Sequence, residues 1–341
     1  MNPRLTAVWI PNIETIQVLV NLTEEGASYQ SRAVSPLRKN ARLRFDPRRS
    51  MPAVLETSEL LREGFWLDSL CELALIADAF PKAGFAYPPS PDLTMKAAPM
   101  HDKDEAAGID RLNRYVDWIA KFSQVADVPA FLNSNGDDYR SAVEELEKAL
   151  GPSAASIPAE LEQYFGEGYR SYLSVVSFLL PAGFTFGIPV STPDGPLAFQ
   201  VLAPFIEPDE SLTWSSPDQA LAATERELAR VFIKSVIARG VLAARPFFDA
   251  FERHRDKLGM LGHEEPLSCL EDHLVQAVHA RILARRGQMK ASEALVQYDE
   301  EAGYIFSKQF VTGLKEYESH RREFSDFESF FPTLMDSFSE S

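Results

Sequence analysis

The pattern of apolar residues changes in the middle of this sequence, and that change constrains the fold more than any other feature. Segments 172–180, 184–188 and 197–205 are rich in β-branched and aromatic residues, and Asp194-Gly195 between the last two is typical of a hairpin turn. On both sides of this block, apolar residues recur at helical spacing. These patterns predict an α+β fold that is predominantly helical, with a small central sheet.

The helical spacing also indicates how the chain is organised. Helices are predicted over residues 13–22, 54–61, 67–76, 109–125, 137–150, 217–239, 244–258, 267–286 and 304–319. A loop is expected over 86–108, and the Phe-rich segment from Phe324 to Phe338 is expected to dock on the core. We expect one domain over residues 1–341. Its N-terminal helical lobe covers about 1–165, and the sheet, the helix at 217–239 and the C-terminal helices cover about 166–341.

The net charge restricts the possible partners. The chain has 34 Lys and Arg against 50 Asp and Glu, so its formal net charge is 34 − 50 = −16. An acidic chain has no general electrostatic attraction to nucleic-acid phosphates, and we therefore predict no nucleic-acid partner. The short basic pair Arg285-Arg286 is expected to be solvated.

The longest uncharged run, 171–193, is long enough to span a bilayer. Pro181, Gly183, Gly187 and Pro189 interrupt it, which indicates short buried strands and turns instead of a membrane span. No signal-peptide core is recognisable at the N-terminus. We expect a soluble, cytoplasmic protein, or a secreted or periplasmic one if a signal peptide has been removed.

Cysteine and histidine give little support for a metal site. Two cysteines, Cys71 and Cys269, exclude a disulfide framework and are expected to be buried small hydrophobic residues. His263-Glu264 does not continue into a metalloprotease motif, because Leu267 stands four residues on. His273 and His279 are six residues apart and do not share a helix face, so we expect them to be surface or hydrogen-bonded core residues.

The predicted helix over 217–239 carries two arginines on one face. Arg226 and Arg230 are four residues apart, and Glu227 is adjacent to the first. Ile233 and Ile237 continue the arginine side, while the opposite side is apolar at Leu221, Leu228, Val231, Phe232 and Val236. Such a helix is buried on both sides. Two buried arginines at this spacing repel one another unless carboxylates or water face them.

Several segments resemble a known family. The sequence Arg226-Glu227-Leu228-Ala229-Arg230-Val231-Phe232 resembles a His-Glu-x-x-His motif with arginine at both histidine positions. Further resemblance lies in segments 51–54, 184–187, 271–277 and 317–321 and in the Phe-rich close. Together these segments are similar to an uncharacterised bacterial family of zincin-like proteins, predicted metallopeptidases that are known as a domain of unknown function.

The resemblance implies a zincin-like fold with a small sheet preceding the motif helix. In an active zincin, the two histidines bind zinc and the glutamate activates a water molecule. The resemblance places Glu227 at the general-base position and puts Arg226 and Arg230 at metal-ligand positions. It places the third ligand at Glu271 or Asp272, with the register open. Guanidinium has no free lone pair, so we expect no metal at this site and no cofactor, although the family it resembles uses zinc.

The two arginines suggest a replacement for the metal. They bring about two positive charges, as zinc does, so we expect Arg226 and Arg230 to pair with Glu271 or Asp272, and with Glu227 as a further partner. The alternative is an exposed charged face in which Glu227 and Arg230 form a simple i, i+3 pair.

These residues leave three functional readings open. The first is a catalytically inactive zincin-like metallopeptidase homologue, a pseudo-peptidase that binds a peptide or protein in its cleft. The alternative is an active hydrolase, either metal-dependent through other ligands or metal-independent, in which Glu227 and the arginines act as acid, base and oxyanion clamp. A third reading is a purely structural helical protein.

Overall fold

The computed structural model describes residues 4–29, 33–100, 104–260 and 262–339. The chain divides into two compact units. We call them the sheet unit, which holds residues 4–154 and Tyr169–Leu221, and the helical unit, which holds Ala155–Gly168 and residues 222–339. Each unit is described by itself below.

The sheet unit contains the strands and the N-terminal helices. Its strands are β1 (Leu5–Val8), β2 (Ser171–Val176), β3 (Thr185–Val190), β4 (Leu197–Leu202), β5 (Phe205–Ile206) and β6 (Leu212–Thr213). Its helices are α1 (Pro11–Leu22), α2 (Glu24–Ser28), α3 (Pro36–Phe45), α4 (Pro52–Arg62), α5 (Leu67–Ile76), α6 (Pro91–Ala97), α7 (Glu105–Val125), α8 (Val128–Ser134) and α9 (Gly136–Leu150).

The helical unit holds the rest of the regular structure. Its helices are α10 (Ser153–Phe165), α11 (Pro217–Gly240), α12 (Arg245–Arg253), α13 (Arg255–Gly259), α14 (Pro266–Arg285), α15 (Met289–Glu301), α16 (Ser307–Ser319) and α17 (Phe327–Asp336). Two boundaries between the units fall inside α10 and α11, and a third lies between Gly168 and Tyr169. In the described part of the chain, no helix has both the length and the apolar character that crossing a bilayer requires.

The main sheet has four strands in the order β1-β2-β4-β3. The first three are parallel to one another, and β3 runs antiparallel to β4 with Thr185 opposite Leu202. Because β4 is buried along nearly its whole length, its near-continuous apolar sequence is that of a strand covered on both faces. A separate pair, β5 and β6, follows the sheet.

Helix α1 forms the centre of the sheet unit. Proline at its first position favours helix initiation, and every residue from Asn12 to Leu22 is buried. A helix buried on all sides must satisfy its polar side chains inside the protein. Asn12 accordingly donates to the Ala77 and Asp78 carbonyls, and Asn21 donates to the Leu179 carbonyl.

Aromatic stacking builds the core of the helical unit. Phe165 stacks on Phe232 at 4.8 Å between ring centroids, and Phe327 packs edge-on against Phe165. Phe338 contacts the rings of Phe247 and Phe310. The expectation that the Phe-rich end docks on the core is therefore confirmed.

The predicted α+β, predominantly helical class with a small sheet is confirmed, and so is the hairpin between β3 and β4. Strand β1 was not predicted, because four residues are too short to show a period. The predicted loop over 86–108 contains α6 and the start of α7, with residues 101–103 outside the described residues. The predicted helix over 244–258 is two helices, α12 and α13, with the break at His254.

The two units also differ from the two predicted lobes. The predicted boundary at about residue 165 placed the sheet in the same lobe as the motif helix. In the structure the sheet belongs to the same unit as the N-terminal helices. The parallel pairing of β1 with β2 causes this difference, since it joins residues more than 160 positions apart. That the chain forms one zincin-like domain stays a prediction.

Glu14 gives the sheet unit a pH-dependent stability. Its carboxylate is fully buried on α1 and accepts the N–H groups of Phe178 (2.9 Å) and Leu179 (3.2 Å) in the turn after β2. Burial raises the pKa of Glu14 from its ordinary value of 4.5 to about 8, although these hydrogen bonds act in the opposite direction. The folded state therefore holds a proton at pH values where the unfolded chain has lost it.

We predict that this contribution is fully present below pH 4.5 and is lost as the pH rises toward 8. The loss is on the order of 4 kcal/mol in the free energy of unfolding. Urea unfolding followed by tryptophan fluorescence tests this, because Trp9, Trp66, Trp118 and Trp214 all lie in the sheet unit. Glu14→Gln is the control. An equally steep fall between pH 5 and 8 in this variant would contradict the assignment.

Candidate functional site: an arginine–carboxylate cluster in the helical unit

Helix α11 carries the residues of the predicted motif. It covers Pro217–Gly240, one residue longer than predicted, with Pro217 at its start. Leu228, Val231, Phe232 and Ile233 are completely buried. The two-sided burial that was predicted for this helix is therefore confirmed, and its polar residues must find partners within the protein.

Arg230 makes ion pairs with three carboxylates. Its Nε donates to Glu227 Oε2 at 3.0 Å, and its Nη1 donates to Glu271 Oε1 at 2.6 Å and to Asp272 Oδ1 at 2.7 Å. Glu227 lies one turn earlier on α11, while the other two carboxylates lie on α14. The predicted pairing of Arg230 is confirmed, and both alternatives for the acidic partner, Glu271 and Asp272, are in contact. We call these four residues the Arg230 cluster.

Little water reaches the Arg230 cluster. The side chain of Glu227 is 6% exposed and that of Arg230 is 21% exposed, while Asp272 is the most accessible at 32%. Burial by itself lowers the pKa of Arg230. The charges of Glu227, Glu271 and Asp272 outweigh burial and hold the pKa well above its usual range. The guanidinium therefore stays charged.

Arg226 does not join the Arg230 cluster, so this half of the predicted pairing is wrong. In the described part of the chain Arg226 makes no ion pair, and its buried Nε has no hydrogen-bond partner. The carboxylate that its charge influences is Asp299 on α15. The reason is geometric, since Arg226 lies one turn before Arg230, which already occupies the two acids of α14.

Asp299 has an unusual titration. It is 2% exposed, and burial raises its pKa to about 6, while the charges of His279 and Arg226 oppose the rise. His279 Nε2 lies 3.2 Å from Glu225 Oε2. A buried acid, an imidazole and a guanidinium thus influence one another along α11, α14 and α15.

A second ion-pair group lies beside the motif and was not predicted. Glu225 is 2% exposed and pairs with Arg286, whose Nη2 also lies 2.5 Å from Glu160 Oε2. Burial raises the pKa of Glu225, but hydrogen bonds from His279 and Arg286 outweigh it and leave the pKa below its ordinary value. Arg286 is exposed, as expected, but its ion pairs with these two acids were not predicted. A basic pair carries no sequence signal for a distant acidic partner.

A third polar group lies at the start of α14. His263, Cys269 and His273 are all buried, and a nitrogen of each imidazole and the cysteine sulfur lie within 4.8 Å of one another. Burial lowers the pKa of His273 to about 4, and burial raises the pKa of the Cys269 thiol to about 12. Both cysteines are buried, as predicted, and neither forms a disulfide bond with the other. The convergence of these three residues was not predicted, because Cys269 was expected to be a buried small hydrophobic residue.

Comparison with known proteins supports membership of a family. Residues 45–337 match the family described as Domain of unknown function (DUF4932), which covers most of the chain. This chain belongs to that family. Comparison with curated proteins and with solved structures gave no match. The family membership confirms the resemblance to an uncharacterised family that is known as a domain of unknown function. The relationship to zincin-like metallopeptidases stays a prediction.

The geometry limits what this DUF4932 chain can do at Glu227. A general base needs a lone pair that reaches a water molecule or substrate. Here the carboxylate of Glu227 is almost completely buried and accepts a hydrogen bond from Nε of Arg230. The Arg230 cluster is therefore arranged to hold two helices together through charge.

We predict that Arg230→Met destabilises the helical unit by about 3 kcal/mol at pH 7, because three carboxylates lose their shared cation. Urea unfolding followed by far-ultraviolet circular dichroism measures the loss.

Arg255→Met is the matched control in the same unit. Arg255 pairs with Glu252 across one helical turn, and both side chains are more than half exposed. We expect a much smaller change from this variant. Equal losses in the two variants would contradict a buried cluster.

Proposed function

We propose that this chain is a zincin-like protein in which an arginine–carboxylate cluster stands in place of the catalytic zinc, and that it acts as a non-catalytic peptide- or protein-binding module. One observation carries the proposal. Arg230, at the position of the second motif histidine, lies between the general-base residue Glu227 and the two acids at the predicted third-ligand position, Glu271 and Asp272. That is the charge arrangement expected when a guanidinium substitutes for a metal ion.

The chemistry of guanidinium supports an inactive site. A zinc ion polarises the substrate carbonyl and generates hydroxide from bound water, and both roles need an open coordination position. Guanidinium offers only N–H donors and stays protonated, so it supplies charge without Lewis acidity. Arg230 keeps the positive charge between the acids while the means of activating water is absent from this position.

The burial of Glu227 weakens the alternative of an active hydrolase that uses this residue. Arg230 engages the carboxylate, and only 6% of the side chain is exposed. An acid that serves as general base needs access to the attacking water. The binding reading makes no such demand, because it needs only a surface that a ligand can reach.

Strand β3 in the sheet unit supports the peptide-binding part of the proposal. It lies at the edge of the sheet and pairs with β4 alone among the described strands. The Ala203 N–H donates to the Phe184 carbonyl, and hydrogen-bonded positions alternate along an antiparallel strand. Phe184, Phe186 and every second residue after them therefore direct their main-chain groups toward β4. The main-chain groups of Gly187 consequently point away from β4, and because Gly187 is buried, a peptide reaches them only after the groups that cover this edge move aside. An extended peptide adds to such an edge through main-chain hydrogen bonds.

Restoring the motif tests the replacement of the metal. We predict that the double variant Arg226→His/Arg230→His gains about one equivalent of zinc relative to wild type, because two histidines at i and i+4 join an acid of α14. Elemental mass spectrometry after dialysis against trace zinc measures the gain. The experiment is run with Cys269→Ser present in both proteins, so that any zinc at Cys269 is excluded from the difference.

The matched control is Arg226→Gln/Arg230→Gln, which removes the same charges and supplies no ligand nitrogen with a free lone pair. We expect no gain in zinc from it. A folded histidine variant that binds no additional metal would show that these positions are not former ligand positions.

A second experiment tests the binding surface. Peptides selected from a display library of short unstructured sequences are expected to bind wild type and to lose about tenfold in affinity with Gly187→Pro, which removes one outward N–H donor. Gly187→Ala retains that donor and serves as the control. Failure to select any peptide, or equal affinity for both variants, would contradict binding along β3.

A further inference from the structure

Three side chains at the start of α14 form a compact set of metal-ligating groups. Cys269 and His273 lie four residues apart on α14 and therefore share one face of the helix. His263 lies in the segment that precedes the helix. All three are buried, and their candidate ligand atoms lie within 4.8 Å of one another.

The ring of His273 is held on one side and unpaired on the other. Its Nδ1 lies 2.8 Å from the carbonyl oxygen of Cys269 and 3.5 Å from its sulfur. With Nδ1–H donated to the carbonyl, the lone pair of the ring lies on Nε2. That atom is completely buried and has no hydrogen-bond partner among the described residues. A buried polar atom without a partner needs an explanation, and a bound cation supplies one.

His263 has a matching support from a carboxylate. Its Nδ1 lies 3.7 Å from Asp272 Oδ2, while Asp272 Oδ1 accepts Nη1 of Arg230. Histidines that bind metals usually donate their second ring N–H to a carboxylate or to a backbone carbonyl, which fixes the tautomer. His263 faces a carboxylate, and His273 faces a backbone carbonyl.

The surrounding charge favours a cation. The Arg230 cluster contains one guanidinium and three carboxylates, so these four side chains sum to −2 at neutral pH. One member, Asp272, faces the His263 ring directly. A divalent ion beside the cluster would offset the excess of negative charge in a place that water reaches poorly.

We propose that His263, Cys269 and His273 form a binding site for Zn²⁺, separate from the motif positions on α11. One thiolate and two neutral imidazoles match the ligand preference of zinc, and they leave one tetrahedral position for a water molecule. In a tetrahedral site the ligand atoms lie about 3.5 Å apart, and one nitrogen of each ring and the sulfur already lie within 4.8 Å of one another, so the three side chains need only small adjustments. Binding forms the zinc–sulfur bond and releases the thiol proton to solvent.

The proposed zinc ties the segment before α14 to the first turns of that helix, so its role is to stabilise the helical unit. The inference does not rest on the proposed function, since none of its ligands belongs to the motif. Either proposal can fail while the other stands.

Cobalt titration of the full chain tests the site, because Co²⁺ replaces zinc and gives a thiolate-to-metal absorption band in the near ultraviolet. The protein is first treated with a chelator and dialysed. We expect about one equivalent of Co²⁺ to develop this band, Zn²⁺ to abolish it, and Zn²⁺ to raise the Tm of the helical unit by several degrees.

Two matched serine variants identify the ligand sulfur. Cys269→Ser is expected to lose the band, and Cys71→Ser is expected to keep it, since Cys71 is an equally buried cysteine of the sheet unit. His263→Asn, outside the helix, is expected to weaken binding at least tenfold while the protein stays folded. A wild-type protein without the thiolate band, a band that survives Cys269→Ser, or unchanged affinity in His263→Asn would overturn the proposal.

Discussion

One guanidinium holds the two long helices of the helical unit together. Arg230 on α11 bonds to Glu271 and Asp272 on α14 and at the same time to Glu227 on its own helix. Both helices are largely buried, so each of these charges was removed from water on folding and must be compensated inside the protein. Each of the four charges is stabilised by its neighbours in the group. The four side chains must therefore hold more closely defined positions than the two side chains of an exposed ion pair.

The sequence was informative where local rules apply. Proline at the start of α11, the apolar stripe along it and arginines at i and i+4 are all local, and they sufficed to predict a helix buried on two sides whose arginines need acids. The acids themselves could be named only through the family resemblance, because 41 positions separate Arg230 from Glu271. Both acids, which were alternative partners in the prediction, accept a hydrogen bond from the same Nη1 of Arg230, and the match of one of them to the third ligand stays a prediction.

The wrong and missing predictions share a physical cause. The contact partner lies far away in the sequence, or it is a residue type that usually has another role. The ion pairs of Arg286 were not predicted because nothing near it in the sequence reveals Glu160 and Glu225. The sheet was grouped with the wrong helices because the pairing of β1 with β2 is long-range. Cys269 and His273 form an i, i+4 pair, but a lone cysteine in a helix is typical of a buried small hydrophobic residue, and the local pattern does not show that His263 lies beside them.

Asp272 links the two proposals made for the helical unit. Its Oδ1 accepts the guanidinium of Arg230, and its Oδ2 faces the imidazole of His263, so a single carboxylate serves both groups. A carboxylate that is fully engaged by a catalytic zinc has less charge to offer a second cation. In the proposed exchange of a catalytic zinc for arginine, Arg230 supplies one positive charge in place of two, which would leave more negative charge on Asp272 and its neighbours. Loss of a metal on α11 would therefore strengthen the attraction for a metal at the start of α14, and the two features would follow from the same electrostatic change.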